Sequence, residues 1–102
     1  MTLAAEPRGV RELREIEAVF DALAHPARRD ILQVLNARGT MTAGALAERF
    51  SCAWPTTTRH LGVLRKAGLV RVEPSGRERH YSVEVDTLRS VIDRFLRPFG
   101  PP

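Results

Sequence analysis

Residues 42–50, TAGALAERF, and residues 54–68, WPTTTRHLGVLRKAG, are separated only by Ser51, Cys52 and Ala53. In the first stretch Ala43, Leu46, Ala47 and Phe50 recur at steps of three and four, the period of a helix with one inward face. Thr42 stands where its hydroxyl can accept from the first free backbone N–H groups. In the second, Pro55 suits the first turn of a helix that runs to about Ala67 and stops at Gly68. A three-residue link is too short for anything but a turn. Two short helices joined in this way form a helix-turn-helix, the arrangement whose second helix enters a DNA major groove.

Helical spacing assigns the faces of that second helix. At about 100° per residue, Thr57, Leu61, Leu64 and Gly68 share one side, and the leucines make it the core side. The opposite side carries Pro55, Arg59, Gly62 and Lys66, with Thr56 and Thr58 on its flanks. Hydroxyls donate to phosphates or base edges, and arginine takes guanine O6 and N7 bidentately. A glycine at position 62 costs some helix stability. It fits either close approach to a sugar-phosphate backbone or a tolerated weakness.

Downstream the period changes to two. Residues 69–73, LVRVE, and 78–83, ERHYSV, read as strands, and Pro74-Ser75-Gly76 between them has turn chemistry. This is a β-hairpin with Arg77 and Arg79 near its tip, and Tyr81 and Val83 on its core face. Asp86 is placed to cap a last helix with the apolar stripe Leu88, Val91, Ile92, Phe95 and Leu96, ending at Pro98.

Upstream, Leu13, Ile16, Val19, Phe20 and Leu23 mark a helix over roughly 10–24. It is cut at His25 because the residue before a proline avoids the α region. Pro26 then opens a helix with Ile31, Leu32, Val34 and Leu35 inside and Gly39 at its end, and His25 is placed to cap it. The expected architecture is mostly α with a β-hairpin (α+β), five helices plus a two-stranded wing. Residues 10–97 form one winged helix-turn-helix domain for DNA binding and dimerisation, between a flexible arm at 1–9 and an irregular tail at 98–102.

Composition fits that reading. The 102 residues are 43% hydrophobic and 27% charged, with a single cysteine, which excludes an internal disulfide and any cysteine-cluster metal site. There is no apolar run long enough to span a bilayer and no hydrophobic signal core near the N-terminus, so a cytoplasmic protein with no membrane partner is expected. Residues 1–50 and 81–102 are each electrically neutral. Residues 51–80 hold Arg59, Arg65, Lys66, Arg71, Arg77 and Arg79 against Glu73 and Glu78, and so carry the whole formal net charge of +4. A polyanion would be drawn to that segment.

The run 20–32, FDALAHPARRDIL, then 41–50 and 55–70, PTTTRHLGVLRKAGLV, followed by 76–81, GRERHY, resembles the ArsR/SmtB (arsenic-repressor-like) family of winged-helix transcriptional regulators. The similarity covers about residues 17–85 and is most specific from Thr58 to Leu61 and on into Val70. It implies a bacterial, homodimeric repressor on an inverted-repeat operator, with residues 54–60 at the major groove and the hairpin as a wing on the flanking backbone. Metal-sensing members carry cysteines on the helix matching 42–50, or Asp/His and His/Glu pairs on the last helix. Here 42–50 has no Cys or His, and 86–97 offers only Asp86 and Asp93, so no metal ligand and no cofactor is expected. Gly62 and Trp54 also depart from the longer polar and small polar residues common at those positions.

The DNA-contacting set is therefore Trp54, Thr56, Thr57, Thr58, Arg59, His60, Arg65, Lys66, Arg77 and Arg79. Leu13, Ile16 and Phe20 with Leu88, Val91, Ile92 and Phe95 form apolar stripes on the terminal helices, too large for a small domain to cover alone. They are expected to pair two protomers and set half-sites about 34 Å apart. Trp54 fits either stacking on a sugar or base or packing over the turn. Cys52 reads as a filler thiol more than a redox switch, and a small-molecule or redox effector stays open. His60 and His80 are within reach of phosphates, but with His25 they give no metal-ligand spacing. The competing reading is a protein-interaction winged helix without DNA binding, using Trp54 and the wing as its patch. An enzyme is the weakest option and is not expected, given no glycine-rich phosphate loop, no Ser/His/Asp or Cys/His pair that can be placed in one pocket, and too small a domain for a deep cleft.

Overall fold

The computed structural model describes residues 7–101. Most of the arm expected at 1–9 lies outside them, and helix α1 (Arg8–Leu23) has already begun at Arg8. It buries Val19 and Ala22 and stops where expected: His25, held extended at φ −95° by Pro26, leads into α2 (Pro26–Arg38). His25 makes no side-chain cap bond. The chain at this corner is instead fastened by two arginines. Arg28 Nε donates to Ala22 O at 2.7 Å and Arg29 Nη1 to Leu23 O at 2.6 Å, satisfying carbonyls that the end of α1 leaves without helical partners.

After Gly39 (φ +87°) comes β1 (Met41–Thr42), a strand of two residues. Thr42 Oγ1 then accepts from the Ala45 N–H at 3.1 Å and caps α3 (Ala43–Arg49). Leu46 and Ala47 are buried, but Phe50, expected inside, lies exposed past the helix end. The turn that follows is a full Schellman motif: Cys52 N–H reaches Ala47 O at 2.9 Å, Ser51 N–H reaches Glu48 O at 3.2 Å, and Ser51 takes φ +50°. Helix α4 (Trp54–Lys66) ends in the same motif, with Gly68 at φ +80° and Leu69 N–H on Leu64 O at 2.9 Å.

The strands β2 (Val70–Ser75) and β3 (Glu78–Val83) pair antiparallel from Val70↔Val83 to Ser75↔Glu78. The loop is therefore Gly76-Arg77, with Gly76 at φ +62°, and the expected Pro74-Ser75-Gly76 turn is corrected: Pro74 and Ser75 belong to the strand. Proline is tolerated there because β2 is an edge of the sheet, whose order is β1-β3-β2. The expected two-stranded wing is this β2–β3 hairpin, and β1, which was not expected, adds a third strand to its sheet through Met41↔Tyr81 and Thr42↔His80. Helix α5 (Val85–Leu96) begins two residues earlier than an Asp86 cap requires. Glu84 is its N-cap, and Asp86 lies within the first turn. Its end runs into a 3-10 turn, Arg97–Phe99, where an irregular tail was expected.

Leu35, Leu46, Leu61, Leu64, Leu69, Val19 and Val91 are the largest fully buried side chains. They come from α1 to α5 and the start of the sheet, so one core fixes the angle between α4 and the wing.

Candidate nucleic-acid interface

Helix α4 divides as its spacing requires. Thr57, Leu61 and Leu64 are buried, while Pro55, Thr58, Arg59, Gly62, Arg65 and Lys66 are exposed and Thr56 is half-buried. Thr57 is only 2% exposed, and its Oγ1 donates to Ala53 O at 3.2 Å. It therefore has no hydroxyl to offer a ligand, which corrects its place in the contact set.

Pairing in the wing sorts the arginines. Cross-strand partners share a face, so Arg71, Glu73, His80 and Ser82 stand on one side of the hairpin and Val72, Arg79, Tyr81 and Val83 on the other. On the first side Arg71 is held by Glu73 at 3.3 Å, Glu84 at 3.4 Å and Ser82 Oγ at 3.2 Å. His80 sits 3.6 Å from Glu78. On the second side Arg79 projects beyond the buried Tyr81 toward α4. Among the described residues Arg59, Arg65, Lys66, Arg77 and Arg79 have no carboxylate within ion-pair distance, so the basic segment keeps five uncommitted cations and spends the sixth, Arg71, on ion pairs along the first face of the hairpin.

Trp54, Thr58, Arg77 and Arg79 border one cleft of about 350 Å³ between the start of α4 and the wing, floored by Thr42, Ala43 and Gly44 and edged by Glu78 and Tyr81. Trp54 is 61% exposed. Its ring lies across Gly44 so closely that a Cβ there would stand 2.8 Å from Cζ3. Sequence reading singled out Trp54 but not Gly44, whose role depends on a contact between helices.

His60 is placed differently from the other members of its set. Its ring packs against His25 with centroids 4.8 Å apart, on the flank of α4 that faces the α1–α2 corner. Its Nδ1 is buried without a hydrogen-bond partner. Burial, and then the nearby His25, Arg28 and Arg59, hold its pKa below the ordinary 6.5.

The terminal helices meet through Phe20 and Phe95, edge to face at 4.8 Å, and Arg94 pairs with Glu15 at 2.9 Å. Val91 is 2% exposed and belongs to the protomer core, so it drops out of the expected pairing surface. Ile16, Leu88 and Ile92 are half-buried, while Leu13 at 59%, Phe95 at 41% and Phe99 at 73% remain open beside a hollow of about 850 Å³. Among the described residues no three His, Cys, Asp or Glu side chains converge to hold a metal ion. α3 has no Cys or His. On α5, Asp93 pairs with Arg97 at 2.9 Å. No helix among the described residues is long and apolar enough to cross a membrane.

Comparison with known proteins agrees with this geometry. A helix-turn-helix domain family matches residues 23–73. The transcriptional repressor SdpR of Bacillus subtilis is 36% identical over 78 residues, which cover 76% of this chain and 86% of that protein. An ArsR-like transcriptional regulator from Rhodococcus sp. RHA1 superposes with a TM-score of 0.77 at 32% identity, over 86% of this chain and 81% of that one. The winged helix-turn-helix domain of a possible ArsR-family regulator from Mycobacterium bovis shares the fold, with a TM-score of 0.75 at 23% identity over 99% and 94% of the two chains. The chain thus belongs to the helix-turn-helix family and is an ArsR-like, DNA-binding winged-helix transcriptional regulator.

Proposed function

We propose that the protein is a homodimeric transcriptional repressor that occupies inverted-repeat promoter DNA and has no metal-sensing site. The observation that carries this reading is the shared cleft: Trp54 and Thr58 of α4 face Arg77 and Arg79 of the wing, with Arg59 and Lys66 uncommitted alongside. In this reading α4 lies in the major groove. Arg59 takes a guanine edge, Thr56 and Thr58 donate to bases or phosphates, and Arg65 and Lys66 hold the backbone near the helix end. Arg77 and Arg79 hold the flanking strand. Thr57 and Val91 act inside the protomer, and His60 supports α4 from its inner flank.

Two copies pair through the open apolar faces of α1 and α5. The M. bovis protein of the same fold is a homodimeric DNA-binding domain, and the exposure of Leu13 and Phe95 supports the same assembly here. Two-fold pairing turns the recognition helices to one side of a duplex, and occupancy there blocks polymerase. SdpR, also a repressor, supports the sign of regulation. The test is an electrophoretic shift on DNA upstream of the protein's own gene at two salt concentrations. A shift that weakens steeply with salt, yet prefers this duplex over a scrambled one, is expected. No shift at micromolar protein sinks the reading in favour of a protein-interaction module.

A further inference from the structure

Resting on the DNA-binding reading, we propose that the cleft between α4 and the wing is a seat for one sugar-phosphate strand, with the Trp54 indole as its apolar wall. A duplex presents its base edges in the groove and its deoxyribose and phosphate groups along the rims. The cleft matches the rim. It combines the exposed face of an indole, the Thr58 hydroxyl and the uncommitted guanidinium groups of Arg77 and Arg79. The ring covers the sugar carbons, its Nε1–H is a donor for phosphate oxygen, and the arginines balance the charge. Glu78, the one carboxylate at the edge, is drawn toward His80 on the other face of the hairpin.

Gly44 makes the seat. With no side chain at 44, the Trp54 ring lies down on α3 and leaves the cleft open; a methyl group there meets Cζ3 at 2.8 Å and Cη2 at 3.0 Å and pushes the ring off. Trp54 is thus a backbone-gripping residue and not a base reader, and its contribution is the same on any sequence.

Trp54 is the only tryptophan in the chain, so its emission reports this contact alone. The full chain is titrated at low salt with a duplex from DNA upstream of its own gene. Trp54 emission is followed on unlabelled duplex, and fluorescence anisotropy on an end-labelled copy measured in parallel. Trp54 emission is expected to change in step with anisotropy and to become shielded from acrylamide. Trp54→Ala weakens binding about tenfold, the equivalent of about 1.4 kcal/mol. It leaves the salt slope and the preference among duplexes unchanged because no charge is removed, and Trp54→Phe recovers most of the affinity. Gly44→Ala, with an unchanged circular dichroism spectrum, shows a smaller emission change on binding. Flat Trp54 emission through a saturating anisotropy curve overturns the seat and leaves DNA binding standing, as does wild-type affinity in Trp54→Ala. No anisotropy rise with the wild-type chain overturns both.

Discussion

The imidazole of His60 rests on that of His25, centroids 4.8 Å apart and ring planes inclined at 55°, which ties the recognition helix to the corner between α1 and α2. Arg28, reaching back to Ala22 O and Asp21 O, and Arg59 from α4 place two fixed positive charges around the pair. The contact is therefore built for a neutral His60 ring.

That arrangement predicts a loss of stability in mild acid. The pKa of His60 is lowered in the fold, by burial first and then by His25, Arg28 and Arg59. As pH falls past about 6.5 the unfolded chain takes up a proton that the folded chain refuses, so stability drops until the folded value is reached and is flat below it. Thermal melts from pH 7.5 to 5.5 should show a falling midpoint, and His60→Gln should flatten the slope. Identical slopes in the two proteins would show that the ring pair does not carry this proton linkage.

Adjacent threonines on α4 should behave oppositely. Thr57→Val removes a buried hydroxyl that donates to Ala53 O and keeps the shape, so it costs about 1 kcal/mol of folding stability and leaves DNA affinity unchanged. Thr58→Val leaves stability unchanged, within about 0.5 kcal/mol as at other surface sites, and weakens DNA binding. Urea denaturation and a binding titration on both variants check this, and equal effects on binding would remove the distinction between the faces.

The two Schellman turns invite a third comparison. Gly68 ends α4 at φ +80° without strain, whereas Ser51 ends α3 at φ +50° with a Cβ that disfavours this region by about 1–2 kcal/mol. Part of that is offset by the extra freedom glycine has when unfolded. Ser51→Gly should therefore stabilise the protein by about 0.5–1 kcal/mol in urea denaturation. A destabilised variant would mean that the serine makes a compensating interaction.

Much of this was legible in one sequence. The helical period around Leu61 and Leu64 set the faces of α4, and His25-Pro26 and Gly68 marked ends that the structure keeps. What was not legible depends on contacts far apart in the chain. β1 has two residues and no pattern of its own, existing only because Tyr81 and His80 pair with it. The Pro74-Ser75-Gly76 turn was the better local choice, but the register carries Ser75 opposite Glu78 and shifts the loop to Gly76-Arg77. Asp86 is the better capping side chain, yet Glu84 N–H bonds Leu69 O at 2.8 Å and starts α5 beside the sheet. At the start of α5 this bond from a residue far along the chain outweighed a local capping preference of about 1 kcal/mol. Gly44 gave no local signal, since its partner Trp54 lies across the turn.

Arginines on the helix and on the wing should separate specificity from affinity. Arg59→Ala is expected to cost about 1–3 kcal/mol on the preferred duplex and to flatten the preference among duplexes. Arg77→Ala should weaken all duplexes alike and reduce the slope of log affinity against log salt by about 1. Titrations at three salt concentrations on preferred and scrambled duplexes measure both quantities. Equal loss of preference from both changes would refute the division of labour between α4 and the wing.

Pairing of two protomers is what the proposed inverted-repeat operator requires. Leu13 is 59% exposed on α1 beside the hollow that Phe95 and Phe99 line, and it contributes little to the protomer's own core. Leu13→Glu should therefore leave the helical signal and melting behaviour of the protomer intact while adding a charge that an apolar pairing surface cannot accept without a partner. Sedimentation should show the wild-type chain as a dimer and the variant as a monomer at the same concentration. A monomer retains one α4 and one wing, so it keeps affinity for a single half-site. It loses the gain from binding two linked half-sites at once, which weakens its grip on the full duplex by about a hundredfold. A variant that stays dimeric, or a monomer that binds the full duplex as tightly as the wild-type chain, would separate DNA binding from pairing through α1 and α5.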